Sequence, residues 1–105
     1  MNFPSDADGD VLRRLESTGF DFSSQCEIEF NVDFATWPPS KNALSELEKE
    51  FGNIEIYEPE DECDGYVVFN VKSILSYELV TQVQKTASAT VIEHGGICES
   101  WGLFS

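Results

Sequence analysis

Residues 26–34 alternate apolar and polar side chains without interruption. A period of two places the two sets on opposite faces of a β-strand. Aromatic and β-branched residues dominate the apolar set, and such residues suit a half-buried pleated surface. We therefore predict a strand with one face in the core and one acidic face outside it. The apolar set is Cys26, Ile28, Phe30, Val32 and Phe34, and the polar set is Glu27, Glu29, Asn31 and Asp33.

The charge balance is strongly acidic for a chain of 105 residues, which we expect to form one domain over residues 1–105. Twenty acidic residues against six basic ones give a formal net charge of −14. A field of this sign repels phosphate backbones, so direct binding of nucleic acid is not expected. It favours a partner protein with a basic segment. The alternative is that the charge serves solubility alone.

The three cysteines, Cys26, Cys63 and Cys98, show no Cys-x-x-Cys spacing and cannot all pair. This pattern favours a reducing compartment, and Cys26 and Cys98 lie in strand-like runs as small apolar residues. No apolar run approaches the length of about 18 residues that a membrane span needs. The first residues also lack the regions of a signal peptide, so we expect a cytoplasmic protein without membrane contact.

An acidic stretch precedes the first helical pattern, in which Val11, Leu12 and Leu15 form a narrow apolar stripe. Gly19 is placed to end this helix, and the early aspartates suit its N-terminus.

The same aspartates also resemble the start of a calcium loop. A loop beginning at Asp6 would need glycine at its sixth position and glutamate at its twelfth. Val11 and Ser17 occupy those positions, so helix capping is the favoured interpretation and no metal is expected.

Five further elements follow from periodicity and from breaking residues. Helices are predicted over residues 40–51, ended by Gly52, and from the N-cap Ser76 toward Glu93, ended by Gly95 and Gly96. Strands are predicted over residues 53–57, 66–71 and 97–104, with an acidic hairpin loop over residues 58–64. Trp37 is either an exposed recognition anchor or a lid on the core.

A first helix followed by the order β-α-β-β-α-β predicts an α+β fold, a ferredoxin-like sandwich with a four-stranded antiparallel sheet. The first and third strands should be central, because they are the most apolar. The helices should cover Ile28, Phe30, Val32, Ile54, Ile56, Val67, Phe69 and Val71. The other face should present Glu27, Glu29, Asn31, Asp33, Glu55, Tyr57, Tyr66 and Asn70, with the first helix shielding an undetermined part of it.

Catalytic groups are not apparent in the sequence. The one histidine, His94, lies at a predicted helix end without a serine or cysteine partner evident from spacing. Gly95 and Gly96 follow a helix instead of opening one, which is the wrong polarity for binding a phosphate. We expect a protein that is not an enzyme and needs no cofactor.

The two ends of the chain carry motifs of a known family. The opening D-A-D-G-D-V-L-R-R-L, the turn at Gly19 and the closing G-G-I-C-E-S-W-G-L-F resemble the regulator of ribonuclease E activity B family. The ending departs from that family at three positions, because Cys98, Glu99 and Ser100 stand where Tyr, Asp and Gly are usual. The matching positions, which we expect to be structural, are Asp8, Leu12, Leu15, Gly19, Gly95, Gly96, Trp101 and Gly102.

The resemblance implies a small acidic bacterial protein of the cytoplasm that inhibits the endoribonuclease ribonuclease E. Members of the family bind the non-catalytic C-terminal region of that enzyme, which carries basic segments. On the acidic strand face, the residues predicted to bind such a partner are Glu27, Glu29, Asp33, Glu55, Tyr57 and Tyr66. The alternative is a module of ferredoxin-like fold that binds a small ligand or associates with itself.

Overall fold

A computed structural model describes residues 3–61 and 64–103. The helices are α1 (Ala7–Ser17), α2 (Lys41–Phe51) and α3 (Tyr77–Val91), and a short 3-10 turn (Ile92–His94) extends α3. The strands are β1 (Gln25–Phe34), β2 (Ile54–Tyr57), β3 (Tyr66–Ile74) and β4 (Gly96–Leu103). The predicted order of elements is confirmed. Part of the predicted acidic hairpin loop, residues 62–63, lies outside the described residues.

The four strands form one antiparallel sheet in the order β2-β3-β1-β4. The predicted central strands, β1 and β3, are the two inner strands of this sheet. The architecture therefore fits the predicted α+β fold of ferredoxin-like type. In the middle of the sheet Phe30 of β1 lies opposite Phe69 of β3, and their rings stack with centroids 5.3 Å apart. Phe51 at the end of α2 stacks on Phe69 from the helical side, at 4.0 Å.

The apolar face of the sheet and one stripe of each helix make the core. Its fully enclosed side chains include five of the residues predicted to face the helices: Ile28, Phe30, Val32, Val67 and Phe69. The predicted Ile54 and Val71 are half-buried and pack against this core. The helices contribute Leu12, Ala43, Leu47, Val80, Ala87 and Val91. The prediction that the helices cover Ile56 is wrong, because 46% of this residue is exposed. Ile56 lies opposite the buried Val67, but β2 is a short outer strand with a neighbouring strand on one side only.

Side-chain caps fix where the helices begin. Asp6 accepts a hydrogen bond from the Gly9 amide at 2.8 Å, which confirms helix capping at this aspartate. Ser40 and Ser76 do the same for α2 and α3, at 3.1 and 3.0 Å. Gly19 follows α1 with φ of +83°, a conformation in which side chains other than glycine are strained.

The first helix packs beside α3 on the helical side of the sheet. Asp8 accepts one hydrogen bond from Trp101 Nε1 of β4 at 2.8 Å and another from Gln84 Nε2 of α3 at 3.0 Å. Trp101 lies opposite Phe30, so its side chain is on the core side of the sheet. Leu12 of the same helix is fully buried. The first helix therefore leaves the polar face of the sheet uncovered, which answers the question that the sequence left undetermined.

We expect Asp8→Ala to lower the free energy of unfolding by about 1–3 kcal/mol, because two part-buried donors lose their acceptor. Asp10→Ala is the matched control on the same helix. Asp10 pairs with Arg13 at the surface, so its loss should cost less than about 1 kcal/mol. Urea denaturation followed by circular dichroism measures both. Equal losses would contradict the role given to Asp8.

Candidate partner-binding face

The polar side of the sheet forms one continuous surface across four strands, which we call the acidic face. The register aligns its side chains in rows, since residues opposite each other point to the same side. The first row holds Tyr57, Tyr66, Asp33 and Ile97, and the second holds Glu55, Val68, Asn31 and Ser100. The third row holds Asn70, Glu29 and Gly102, and the fourth holds Lys72 and Glu27. All six residues predicted to bind a partner therefore lie on this face.

The acidic face is open to solvent where the carboxylates lie. Glu27, Asp33 and Glu55 are exposed and Glu29 is half-buried. Lys72 lies opposite Glu27 and is a cation on this face that the sequence reasoning missed. The strand prediction ended at Val71, one residue short of it, although the alternation continues through Lys72. Three of the four predicted carboxylates lie on β1, and Lys72 offsets the charge of Glu27, so the net charge of the face is negative.

Two tyrosines form the aromatic part of the acidic face. The rings of Tyr57 and Tyr66 stack with centroids 4.9 Å apart and planes 11° from parallel. The Tyr57 hydroxyl donates a hydrogen bond to Glu55 at 2.7 Å. This bond, together with the negative charge of Glu55, raises the pKa of Tyr57 above its ordinary value. Tyr57 is therefore a neutral hydrogen-bond donor at physiological pH, and its pairing with Glu55 holds both side chains in place.

A buried valine lies at the centre of the acidic face, where the sequence analysis did not place it. Val68 points to the polar side yet is only 4% exposed, because its neighbours in the row cover it. Beside it, Asn31 donates a hydrogen bond to Ser100 of β4 at 3.1 Å. The adjacent pair Val67-Val68 was the available signal, since one of two neighbouring valines in a strand must face the polar side.

Two depressions lie along this face. A shallow one of about 300 Å³ is bounded by Glu29, Asn31, Asp33, Tyr66 and Ser100. A larger one of about 1140 Å³ lies at the end of β2 and is bounded by Ile56, Tyr57, Glu58, Glu60, Asp61, Asp64 and Tyr66. Both are rich in carboxylates and aromatic carbon. Such surfaces suit cationic side chains, which find hydrogen-bond acceptors and a ring face together.

The remaining chemically active side chains have structural contacts. His94 lies with Nδ1 3.2 Å from the Ser40 hydroxyl and Nε2 3.3 Å from the Glu46 carboxylate, so it ties the end of α3 to the start of α2. Among residues 3–61 and 64–103, no group of three or more His, Cys, Asp or Glu side chains is arranged to hold a metal ion.

Trp37 is a half-buried lid on the edge of the core and not an exposed anchor. Its indole packs on Gly65, where an added Cβ would come within 2.7 Å of the ring. Its Nε1 donates to Glu58 at 2.9 Å. These contacts hold the first part of the acidic loop against the domain.

The family-motif residues serve the scaffold. Asp8 and Trp101 bond to each other, and Leu12 and Leu15 pack in or against the core. Gly95 has φ of +75° after the 3-10 turn, and Gly96 leaves no room for a Cβ beside Phe34 and Val91. Gly102 alone reaches the acidic face, opposite Glu29.

A family model described as regulator of ribonuclease activity B matches residues 5–103, which is nearly the whole chain. No curated protein matches the chain closely enough to be counted as a relative. None of the helices in the described part of the chain is long and apolar enough to cross a membrane.

The buried thiol of Cys98 gives a direct test of the view that it packs and does not react. Removal from water raises its pKa to about 12, and the residue is 3% exposed. In a variant carrying Cys26→Ser and Cys63→Ser, we expect a chromogenic disulfide reagent at about pH 8 to label Cys98 only slowly. The same sample in denaturant should react at once. Immediate labelling of the folded variant would contradict a buried, protonated thiol.

Proposed function

The chain belongs to the regulator of ribonuclease activity B family, and we propose that it inhibits ribonuclease E by binding a basic segment of the enzyme on the acidic face. The family regulates ribonuclease activity. The proposal adds the identity of the partner, its basic segment and the surface that receives that segment. A ribonuclease partner also supports a location in the cytoplasm.

The observation that carries the proposal is the uncovered polar side of the sheet. Four carboxylates, from Glu27, Glu29, Asp33 and Glu55, share one surface with the stacked tyrosines. The whole chain adds a long-range field from its net charge of −14. Such a field speeds the approach of a cationic segment and rejects the phosphates of the RNA substrate. A regulator with this surface acts on the enzyme and does not compete for RNA.

A non-catalytic role is supported by the contacts of the reactive groups. His94 is engaged by Ser40 and Glu46, and the thiol of Cys98 is buried with a raised pKa. Neither group lies on the acidic face. A protein that regulates the enzyme by binding its basic segment needs only a docking surface. The polar sides of β1, β2 and β3 supply that surface.

Charge reversal on the acidic face should abolish most of the binding. We expect Glu29→Lys combined with Asp33→Lys to weaken affinity for a fragment of the ribonuclease E C-terminal region by about tenfold or more. Glu27 is left unchanged, because a lysine there would face Lys72 and destabilise the strand pair. Fluorescence anisotropy of the labelled fragment at low salt gives the affinity, and thermal unfolding verifies the fold.

The matched control combines Glu48→Lys with Glu50→Lys on the exposed side of α2. Each double variant shifts the formal net charge by two units per substitution, from −14 to −10. The control should keep nearly all of the affinity, and raising salt to about 0.15 M should weaken binding of the parent protein. Equal losses of affinity in the two double variants would mean that overall charge, and not the acidic face, causes the effect. Absence of binding at low salt would contradict the proposal altogether.

Self-association through the same face is the competing use of this surface. Two acidic faces would place carboxylates against carboxylates, which repel at short range. Sedimentation equilibrium of the parent protein measures this, and we expect a monomer at micromolar concentration. A stable dimer that Glu29→Lys with Asp33→Lys alters would favour self-association instead.

A further inference from the structure

The two outer strands of the sheet expose their backbone to different degrees. On β4, the Ser88 hydroxyl of α3 accepts from the Cys98 amide at 2.9 Å and donates to the Cys98 carbonyl at 3.2 Å. The register of β4 against β1 also shifts between Asn31 and Val32, which marks a β-bulge. A covering helix and a bulge both obstruct the addition of another strand. The edge at β4 is therefore closed at Cys98.

Within residues 3–61 and 64–103, the edge at β2 has neither protection, and the backbone hydrogen bonds of β2 go to β3 alone. The register of this pair is continuous from Ile54 to Tyr57, and the strand contains neither proline nor lysine. The outward N–H and C=O groups of such a strand are a template for an added strand.

Ile56 shows that the core side of this edge is incomplete. Its side chain points toward the core because it lies opposite the fully buried Val67. Phe51 at the end of α2 stacks on Phe69, which lies opposite Ile54, and 46% of Ile56, two residues further along β2, stays exposed. An apolar side chain from an added strand would cover it and remove apolar surface from water.

The charges beside this edge decide what can occupy it. Glu55 lies on the polar side of β2, and Glu58, Glu60 and Asp61 continue the line of carboxylates past the end of the strand. Two copies of β2 placed edge to edge would bring these acids together. A segment with lysine or arginine would instead meet opposite charge along its length.

We infer that a basic segment of the partner ribonuclease binds as a fifth strand along the free edge of β2. In this arrangement an apolar residue of the segment covers Ile56, and basic residues on its other face lie beside Glu55 and Tyr57. The added strand extends the acidic face, so this inference rests on the proposed function and specifies how the partner is held.

Amide hydrogen exchange by nuclear magnetic resonance tests the arrangement on the full chain, with and without the ribonuclease E fragment at low salt. The amides of β2 that do not bond to β3 should gain protection of about tenfold or more when the fragment binds. The amide of Cys98 on β4 should not change, because Ser88 already accepts from it.

The matched substitutions are Ile56→Thr and Ile92→Thr. Both isoleucines are exposed, at 46% and 66%, and threonine keeps the β-branch. We expect Ile56→Thr to weaken binding of the fragment about fivefold through the lost apolar contact. Ile92→Thr, in the 3-10 turn after α3 and outside the sheet, should change the affinity by less than about twofold.

Each outcome separates this inference from the proposed function. Binding of the fragment with unchanged exchange of the β2 amides overturns the fifth strand and leaves docking on the acidic face intact. Absence of binding overturns both. Protection of the β2 amides in the protein alone, with a dimeric mass in sedimentation, would identify a second copy of the chain as the occupant and overturn the inference.

Discussion

The antiparallel register between β1 and β3 determines the chemistry of both faces of the sheet. It runs without a break from Gln25 opposite Ile74 to Asp33 opposite Tyr66. Because side chains alternate, the register that brings Phe30 onto Phe69 also sends Glu29 to the other side. A slip of one residue would turn carboxylates toward the core and expose phenylalanines. Burying an unpaired charge costs several kcal/mol, so the core and the acidic face specify each other.

The acidic face introduces electrostatic repulsion into the folded protein. Three of its carboxylates lie on β1 and one on β2, with β3 between them, and they repel one another, an effect that lowers stability while the charge remains unmatched. Two features offset part of the repulsion: Lys72 lies opposite Glu27, and the Tyr57 hydroxyl donates to Glu55. Neither neutralises Asp33, which lies exposed beside Tyr66. In the proposed function, a cationic partner segment would reduce the repulsion that these two contacts leave. Binding of the partner and stabilisation of the fold would then have the same electrostatic origin.

Most of the fold was predictable because its signals are local. The period of two in residues 26–34 and the serine caps at Ser40 and Ser76 each depend on a few neighbouring residues, and the structure confirms them. The same alternation placed the six predicted binding residues on the acidic face. Their binding to a partner belongs to the proposed function.

The features that the sequence did not predict depend on residues far apart in the chain. The position of α1 follows from the bond between Asp8 and Trp101, which are separated by 93 positions. The exposure of Ile56 depends on the place of β2 at the outer edge of the sheet, and the burial of Val68 depends on side chains from neighbouring strands. Periodicity reports which side a residue faces, but not what covers that side.

The family motif and the acidic face lie largely on opposite sides of the molecule. Asp8, Leu12 and Trp101 fix the first helix to α3 and β4 on the helical side, away from the carboxylates. The three departures in the final motif also follow the strand pattern. Cys98 faces the core, Ser100 faces the polar side and bonds Asn31, and the residue between them coincides with the bulge in β4.

Because of this division, the motif residues say more about the fold than about the partner. They support the scaffold, and the scaffold in turn holds β1 and β3 in a register that displays carboxylates. In the proposed function, the choice of partner depends on side chains outside the motif, above all the acids of β1 and β2 and the tyrosine pair between them. The proposal then predicts that a protein with the same motif and a different polar face would keep this fold and bind a different partner.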